Sequence, residues 1–118
     1  MKYMLLIYMD EKAMNEAERE QCYKDSAQLT HELNSRGQYL AASPLQPVAT
    51  ATSVRVREGK RLMTDGPFAE TREQLAGYFL IDATDLNAAI GIAARVPGAR
   101  IGTVEVRPLR EIVGLPNE

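Results

Sequence analysis

Apolar residues fill almost every position from Lys2 to Met9 (KYMLLIYM), and the run stops abruptly at Asp10-Glu11-Lys12, which is the length and outline of a strand. Tyr3, Leu5 and Ile7 fall on one face and Met4, Leu6 and Tyr8 on the other, so both faces need cover. The period then changes. Asn15 to Glu18 is an N-x-x-E variant of the capping box, in which the Asn side chain caps a helix and the Glu side chain reaches back. Cys22, Ser26, Leu29 and Leu33 follow at spacings of four, three and four, flanked by Tyr23 and Thr30. They form the inward stripe of a helix that runs to about Arg36, with Gly37 as its C-terminal cap. Its first turns, EAEREQ, are polar and are expected to face solvent.

Gln38 to Ser43 predicts a short strand, broken by Pro44 and Pro47 into a stiff bend. From Val48 to Arg57 the chain is rich in Thr and Val, with Val54 and Val56 alternating against Arg55 and Arg57. Glu58-Gly59 turns it and Lys60 to Thr64 returns, a β-hairpin with a basic tip of Arg55, Arg57, Lys60 and Arg61. Thr64 to Ala83 (TDGPFAETREQLAGYFLIDA) is half acidic turn and half apolar strand, and YFLI is apolar on both faces. Thr84-Asp85 supplies the cap of a second helix with an expected inner face of Leu86, Ala89, Ile90 and Ala93. Gly91 within it implies close packing against a strand. Pro97-Gly98 stops the helix, Arg100 to Arg107 predicts the last strand, and the tail from Pro108 to Glu118 is expected to be loosely ordered.

Without the hairpin, the order is the βαββαβ of a ferredoxin-like α+β sandwich. One domain over residues 1–118 is expected, with both helices on one face of the sheet. The other face is left bare although it is apolar, and a bare apolar face is an interaction surface. The simplest cover is a second copy, a symmetric homodimer through the open sheet face.

Composition narrows the partners. The 14 basic and 16 acidic residues leave a net charge of -2, which argues against nucleic acid or an anionic membrane. The first apolar run is too short to span a bilayer, and it lacks the charged flank and cleavage site of a signal peptide. Cys22 is the only cysteine, which fits a reducing, cytoplasmic setting and leaves no disulfide and no multi-cysteine zinc site. On the apolar stripe it reads as a small hydrophobe rather than a nucleophile.

Asp65-Gly66-Pro67-Phe68 concentrates the candidate chemistry. Gly66 permits a positive φ, and Pro67 stiffens the turn. Asp65 is either an acid/base or polar anchor of a pocket at the sheet edge, or an Asx residue satisfying turn amides. Phe68, Tyr8 and Tyr78 are candidate walls of that pocket, and Glu70 a candidate assistant. Glu70 and Glu73 can equally be solvated, or open a short helical turn. His31 is the single histidine, and a His-Asp proton transfer suggests itself. At 100° per residue, however, His31 lies opposite the Cys22–Leu33 stripe and so on the helix's outer side. There is no phosphate loop, no Rossmann fingerprint and no metal-ligand spacing, so no cofactor and no metal are expected.

DGPFAETREQLAGYFLID closely resembles the YCII-related, DGPF-domain family of bacterial proteins. MKYMLLIYMDE, LQPVATATSVRVREGK and GTVEVRPL extend the resemblance over nearly the whole chain. It implies a ferredoxin-like fold of the dimeric α/β-barrel superfamily. It also implies a cleft with a His-Asp pair, in which Asp65 matches the motif's aspartate while His31 lies on the matching helix at no equivalent position. Some relatives are associated with sigma-factor-like regulators. Two functions follow as expectations. One is a cofactor-free enzyme acting on a small organic molecule by isomerisation, dehydration or hydrolysis. The other is a non-catalytic dimeric ligand-binding or regulatory module.

Overall fold

The computed structural model describes residues 1–116; the last two residues of the tail lie outside the described residues. The strands are β1 (Lys2–Met9), β2 (Tyr39–Pro44), β3 (Thr52–Arg57), β4 (Lys60–Asp65), β5 (Gln74–Asp82) and β6 (Thr103–Pro108), and the helices are α1 (Glu16–Ser35) and α2 (Leu86–Arg95). Strands β2, β5, β1 and β6 form one antiparallel sheet in that order, and β3 and β4 form a separate two-stranded ribbon. The four-stranded order is that of the ferredoxin-like sandwich with a hairpin inserted between its second and third strands, as the order of elements predicts.

Alternation along β1 sends Tyr3, Leu5, Ile7 and Met9 under the helices, where all are buried. Phe79 and Ile81 of β5 do the same, and Leu29 and Leu33 of α1 and Ala89, Ile92 and Ala93 of α2 close the core over them. The α1 cap is the reciprocal box read from the sequence: Glu18 N–H donates to Asn15 Oδ1 at 2.8 Å and Asn15 N–H to Glu18 Oε1 at 3.0 Å. Arg95 pairs with Glu32 across the outer surface of the two helices.

Three local expectations change. Val48–Thr50 is a 3-10 turn rather than strand, closed by Thr50 N–H and Oγ1, which both donate to Pro47 O. Pro97–Arg100 is a second 3-10 turn, which delays β6 to Thr103. The inner face of α2 is Ala89, Ile92 and Ala93; Leu86 and Ile90 are each 50% exposed. Gly91 is therefore not a close-packing glycine, since a Cβ there would meet open space. Close approach occurs instead at Gly102, where a Cβ would lie 2.0 Å from the carbonyl oxygen of Tyr8.

The opposite face of the sheet carries Met4, Leu6, Tyr8, Tyr78 and Leu80, half-buried, with no helix among the described residues packed over them. The ribbon lies apart. Its two strands pack substantially on each other and on no other element. The resulting molecule is a plate of 47 × 43 × 20 Å with a radius of gyration of 16.1 Å. A compact chain of this length would have a radius of about 13.5 Å.

Candidate functional site

The helix that closes the core at one end opens a cleft at the other. Continued towards the N-terminus, the inner stripe of α1 reads Leu33, Leu29, Ser26, Cys22 and Arg19. The two leucines are buried against the sheet. Serine and cysteine are too short to reach it, and the space left is a cleft of about 750 Å³ between the first half of α1 and the β2 edge. Its floor is apolar, made by Ile7, Met9, Phe79 and Tyr39, and its outer rim is the Pro44–Pro47 bend. Gly77 and Gly98 face it, and both need to be glycine: a Cβ would meet Ser43 O at 2.9 Å in one case and the Ile7 side chain at 2.7 Å in the other.

A knot of side chains holds the mouth. The Glu11 carboxylate accepts from Val48 N–H at 2.8 Å, Glu11 N–H donates to Gln74 Oε1 at 3.0 Å, and Gln74 Nε2 donates to Thr71 O at 2.6 Å. Three connecting segments are thereby tied together at one end of the cleft. Glu11 is thus a positioning residue, one of whose carboxylate oxygens is already used. Arg19 is different. It lines the cleft, half-buried, and among the described residues its side chain's one hydrogen bond is a long one of 3.4 Å to the Glu11 main-chain oxygen. Among the described residues it has no carboxylate partner. A guanidinium in that position offers most of its donors to a ligand anion.

Cys22 also lines the cleft. Burial, and then the charge of Asp25, push its thiol pKa up, against weaker lowering by Ser26 and Arg100. It is a protonated wall at neutral pH, in keeping with the small hydrophobe read from the stripe.

The residues singled out in the sequence lie elsewhere. Asp65 ends β4 opposite Thr52 and is exposed, at the base of the ribbon. The turn after it is made without its carboxylate. Gly66 has φ 95° and donates its N–H to Ala51 O at 2.7 Å, and Ser53 Oγ donates to Gly66 O at 2.9 Å. The Asx alternative for Asp65 is thereby removed. Phe68 is 81% exposed among the described residues and so is not an anchor within its own chain. Glu70 is exposed, and residues 70–73 form no helical turn. Glu73 instead accepts from Thr103 Oγ1 at 2.9 Å.

Tyr8 and Tyr78 share the open face of the sheet, on the far side from the cleft. Tyr8 donates weakly to Glu105 at 3.4 Å, and burial and the Glu105 charge raise its pKa. His31 is exposed on the outer side of α1, as its phase predicts. Among the described residues, the side chains of Asp65, Glu70 and His31 make no hydrogen bonds, so no His-Asp pair forms within the chain. Neither the cleft nor a shallower one beside Arg72 and Gln74 contains any of these six residues.

Residues 1–113 match the YCII-related domain. The chain belongs to this family. It is 35% identical over 114 residues to an uncharacterised protein of Rhizobium meliloti (strain 1021), an overlap covering 92% of each. In architecture this YCII-related chain is similar to 5-chloro-2-hydroxyhydroquinone dehydrochlorinase from Burkholderia phenoliruptrix AC1100, solved as a complex with 2,5-dihydroxybenzoquinone. The TM-score is 0.56 over 93% of this chain and 94% of the other, at 8% identity, a likeness of fold. No helix among the described residues is long and apolar enough to cross a membrane.

Proposed function

We propose that this chain is a single functional domain that binds a small, anionic organic molecule in the α1 cleft. Arg19 would take the anionic group, and Ile7, Met9 and Phe79 the apolar body. The observation that carries this reading is a guanidinium without a carboxylate partner among the described residues, inside an apolar-floored cleft of about 750 Å³. The volume falls in the range of small-molecule sites. A one-ring compound carrying a carboxylate, phenolate or enolate fits both the size and the charge. The one-ring ligand of the dehydrochlorinase supports the same scale. We further propose that the working unit is a cytoplasmic homodimer through the open sheet face.

A catalytic reading adds Asp65, which lies outside its own subunit's cleft and would act from a second copy, as the proton-transfer group in cofactor-free isomerisation, dehydration or hydrolysis. It is favoured by one observation: a rigid turn holds a carboxylate that the turn does not use. The experiment is a thermal-shift screen of one-ring carboxylates, phenols and enols against the wild type, Arg19→Met and Asp65→Asn. Compounds that raise the wild-type melting temperature should lose that effect with Arg19→Met. With Asp65→Asn they should still bind and not turn over. Equal shifts in the wild type and Arg19→Met would remove the cleft as the site, and unchanged turnover by Asp65→Asn would remove the catalytic reading.

A further inference from the structure

The ribbon is amphipathic across its two faces. Directly opposed residues of an antiparallel pair share a face, so the register of Val54 with Met63 and of Thr52 with Asp65 places Val54, Val56, Met63 and Asp65 together, with Arg61 at the outer end. Arg55, Arg57 and Lys60 occupy the other face, with Leu62 among them. The apolar face is bare: Val54, Val56 and Met63 are 57%, 61% and 63% exposed, and Phe68 beyond the base is 81% exposed. A two-stranded hairpin with an uncovered apolar face is marginal in water. Among the described residues, no other element packs substantially on it.

Charge points to what supports it. Of the chain's 14 cations and 16 carboxylates, the ribbon residues 52–65 hold four cations and two carboxylates, which leaves the remainder acidic by four. Three of the four cations lie on the face opposite Val54, Val56 and Met63, so charge draws the arm as a whole towards an acidic body and the apolar face is left to make the contact. A two-fold axis gives each arm the other copy's body.

We propose that the β3–β4 ribbon is an exchange arm whose Val54–Val56–Met63 face docks on the body of a second copy of this chain, with Phe68 inserted as an anchor. Docking that face carries Asp65 against the partner. The DGPF turn then serves the other subunit, and an exposed Phe beside a free carboxylate becomes a contact made between chains. The proposal rests on the homodimer proposed above.

Sedimentation equilibrium, run on the wild type, on Val56→Glu/Met63→Glu and on the sheet-face variant Leu6→Glu, tests it. Far-UV circular dichroism of each provides the fold control. The expected result is a wild-type dimer, with a dissociation constant raised at least about a hundredfold by the arm variant. The arm substitutions sit at positions exposed within the chain, so the monomer keeps its spectrum. A wild-type dimer that the arm variant leaves intact and Leu6→Glu dissociates would overturn the arm and keep the sheet-face dimer. A wild-type monomer at micromolar concentration would overturn both. Hydrogen exchange on the wild type gives an independent check. Amides of residues 52–68 should be protected above the dissociation constant and exchange freely below it, and equal exchange at both concentrations would count against docking.

Discussion

The N-terminal half of α1 and the β3–β4 ribbon both leave apolar surface uncovered, but for opposite reasons. Along α1 the deficit is one of size. A stripe that begins as Leu33 and Leu29 continues as Ser26 and Cys22, and the sheet below has nothing to touch. The ribbon's deficit is one of position. Val54, Val56 and Met63 are large enough to pack, yet among the described residues they stay 57%, 61% and 63% exposed. Missing volume under a well-supported helix is a feature of a ligand site. Full-sized side chains on an unsupported arm are a feature of an interface. The two regions also divide the polar groups. Among the described residues, Arg19 is half-buried and lacks a carboxylate partner, whereas Asp65 is exposed and lacks a cation partner.

The strongest way to break this contrast is at the point where α1 changes from core to cleft. Leu33 is fully buried, and Leu33→Ala should lower unfolding free energy by about 2–5 kcal/mol in denaturant titrations. Near the other end of the same stripe, Arg19→Met should cost little stability, since the Arg19 side chain makes one long hydrogen bond among the described residues, while removing anion binding. Comparable stability losses at both positions would mean that the first half of α1 supports the fold as strongly as the second.

Filling the cleft sharpens the same point. Ser26→Leu restores the apolar stripe and places a full side chain over Phe79 and Met9. It should abolish ligand-induced thermal shifts and change stability by no more than about 1.5 kcal/mol in either direction. Ligand shifts that survive in this variant would place the binding site outside the cleft.

Much of this is legible in the chain. The four-strand order, the capping box, the Glu58-Gly59 turn and the outward phase of His31 all follow from local period and turn chemistry. Arg19 escapes a reading of the sequence because EAEREQ looks like a solvated first turn, although one more step of three along the Leu33–Cys22 stripe lands on it. The face of α2 is misplaced for a different reason. Apolar residues occupy so many of its ten positions that periodicity does not select among them, and only the packing on the sheet buries Ile92 rather than Ile90. Nor is the placement of the arm a local property. Alternation identifies β3 and β4 as a pair, but an alternating strand looks the same whether its apolar face meets its own domain or another molecule. The same ambiguity makes Phe68 look like an anchor within its own chain.

A smaller effect concerns the thiol in the cleft. The raised pKa of Cys22 means that the folded state holds its proton more tightly than the unfolded chain does. Linkage then fixes the sign: the thiol's contribution to stability is constant through neutral pH and declines as pH rises through the alkaline range, beyond the ordinary thiol value of about 8.5. Tyr8, raised from its own ordinary value, acts in the same direction at higher pH. Melting temperature should therefore fall above about pH 9, less steeply in Cys22→Ala. Alkylation of the native thiol at pH 8 should be slower than in urea. A thiol that reacts faster in the folded protein would mark an activated cysteine and make the cleft a covalent site.

The smallest predicted effect separates the two regions most cleanly. Val56→Ser removes apolar surface from a side chain that is 61% exposed within its own chain. At concentrations where the protein is monomeric, its unfolding free energy should change by less than about 0.5 kcal/mol, because no packing is lost. At concentrations where the protein is dimeric, the same substitution should lower the melting temperature, because stability there includes the association free energy. A concentration-dependent penalty at Val56, set against a concentration-independent one at Leu33, would show that one chain has two kinds of apolar surface, one satisfied by folding and one by pairing. A Val56→Ser penalty of the same size at both concentrations would mean that the arm packs on its own chain, and the contrast between the cleft and the ribbon would collapse.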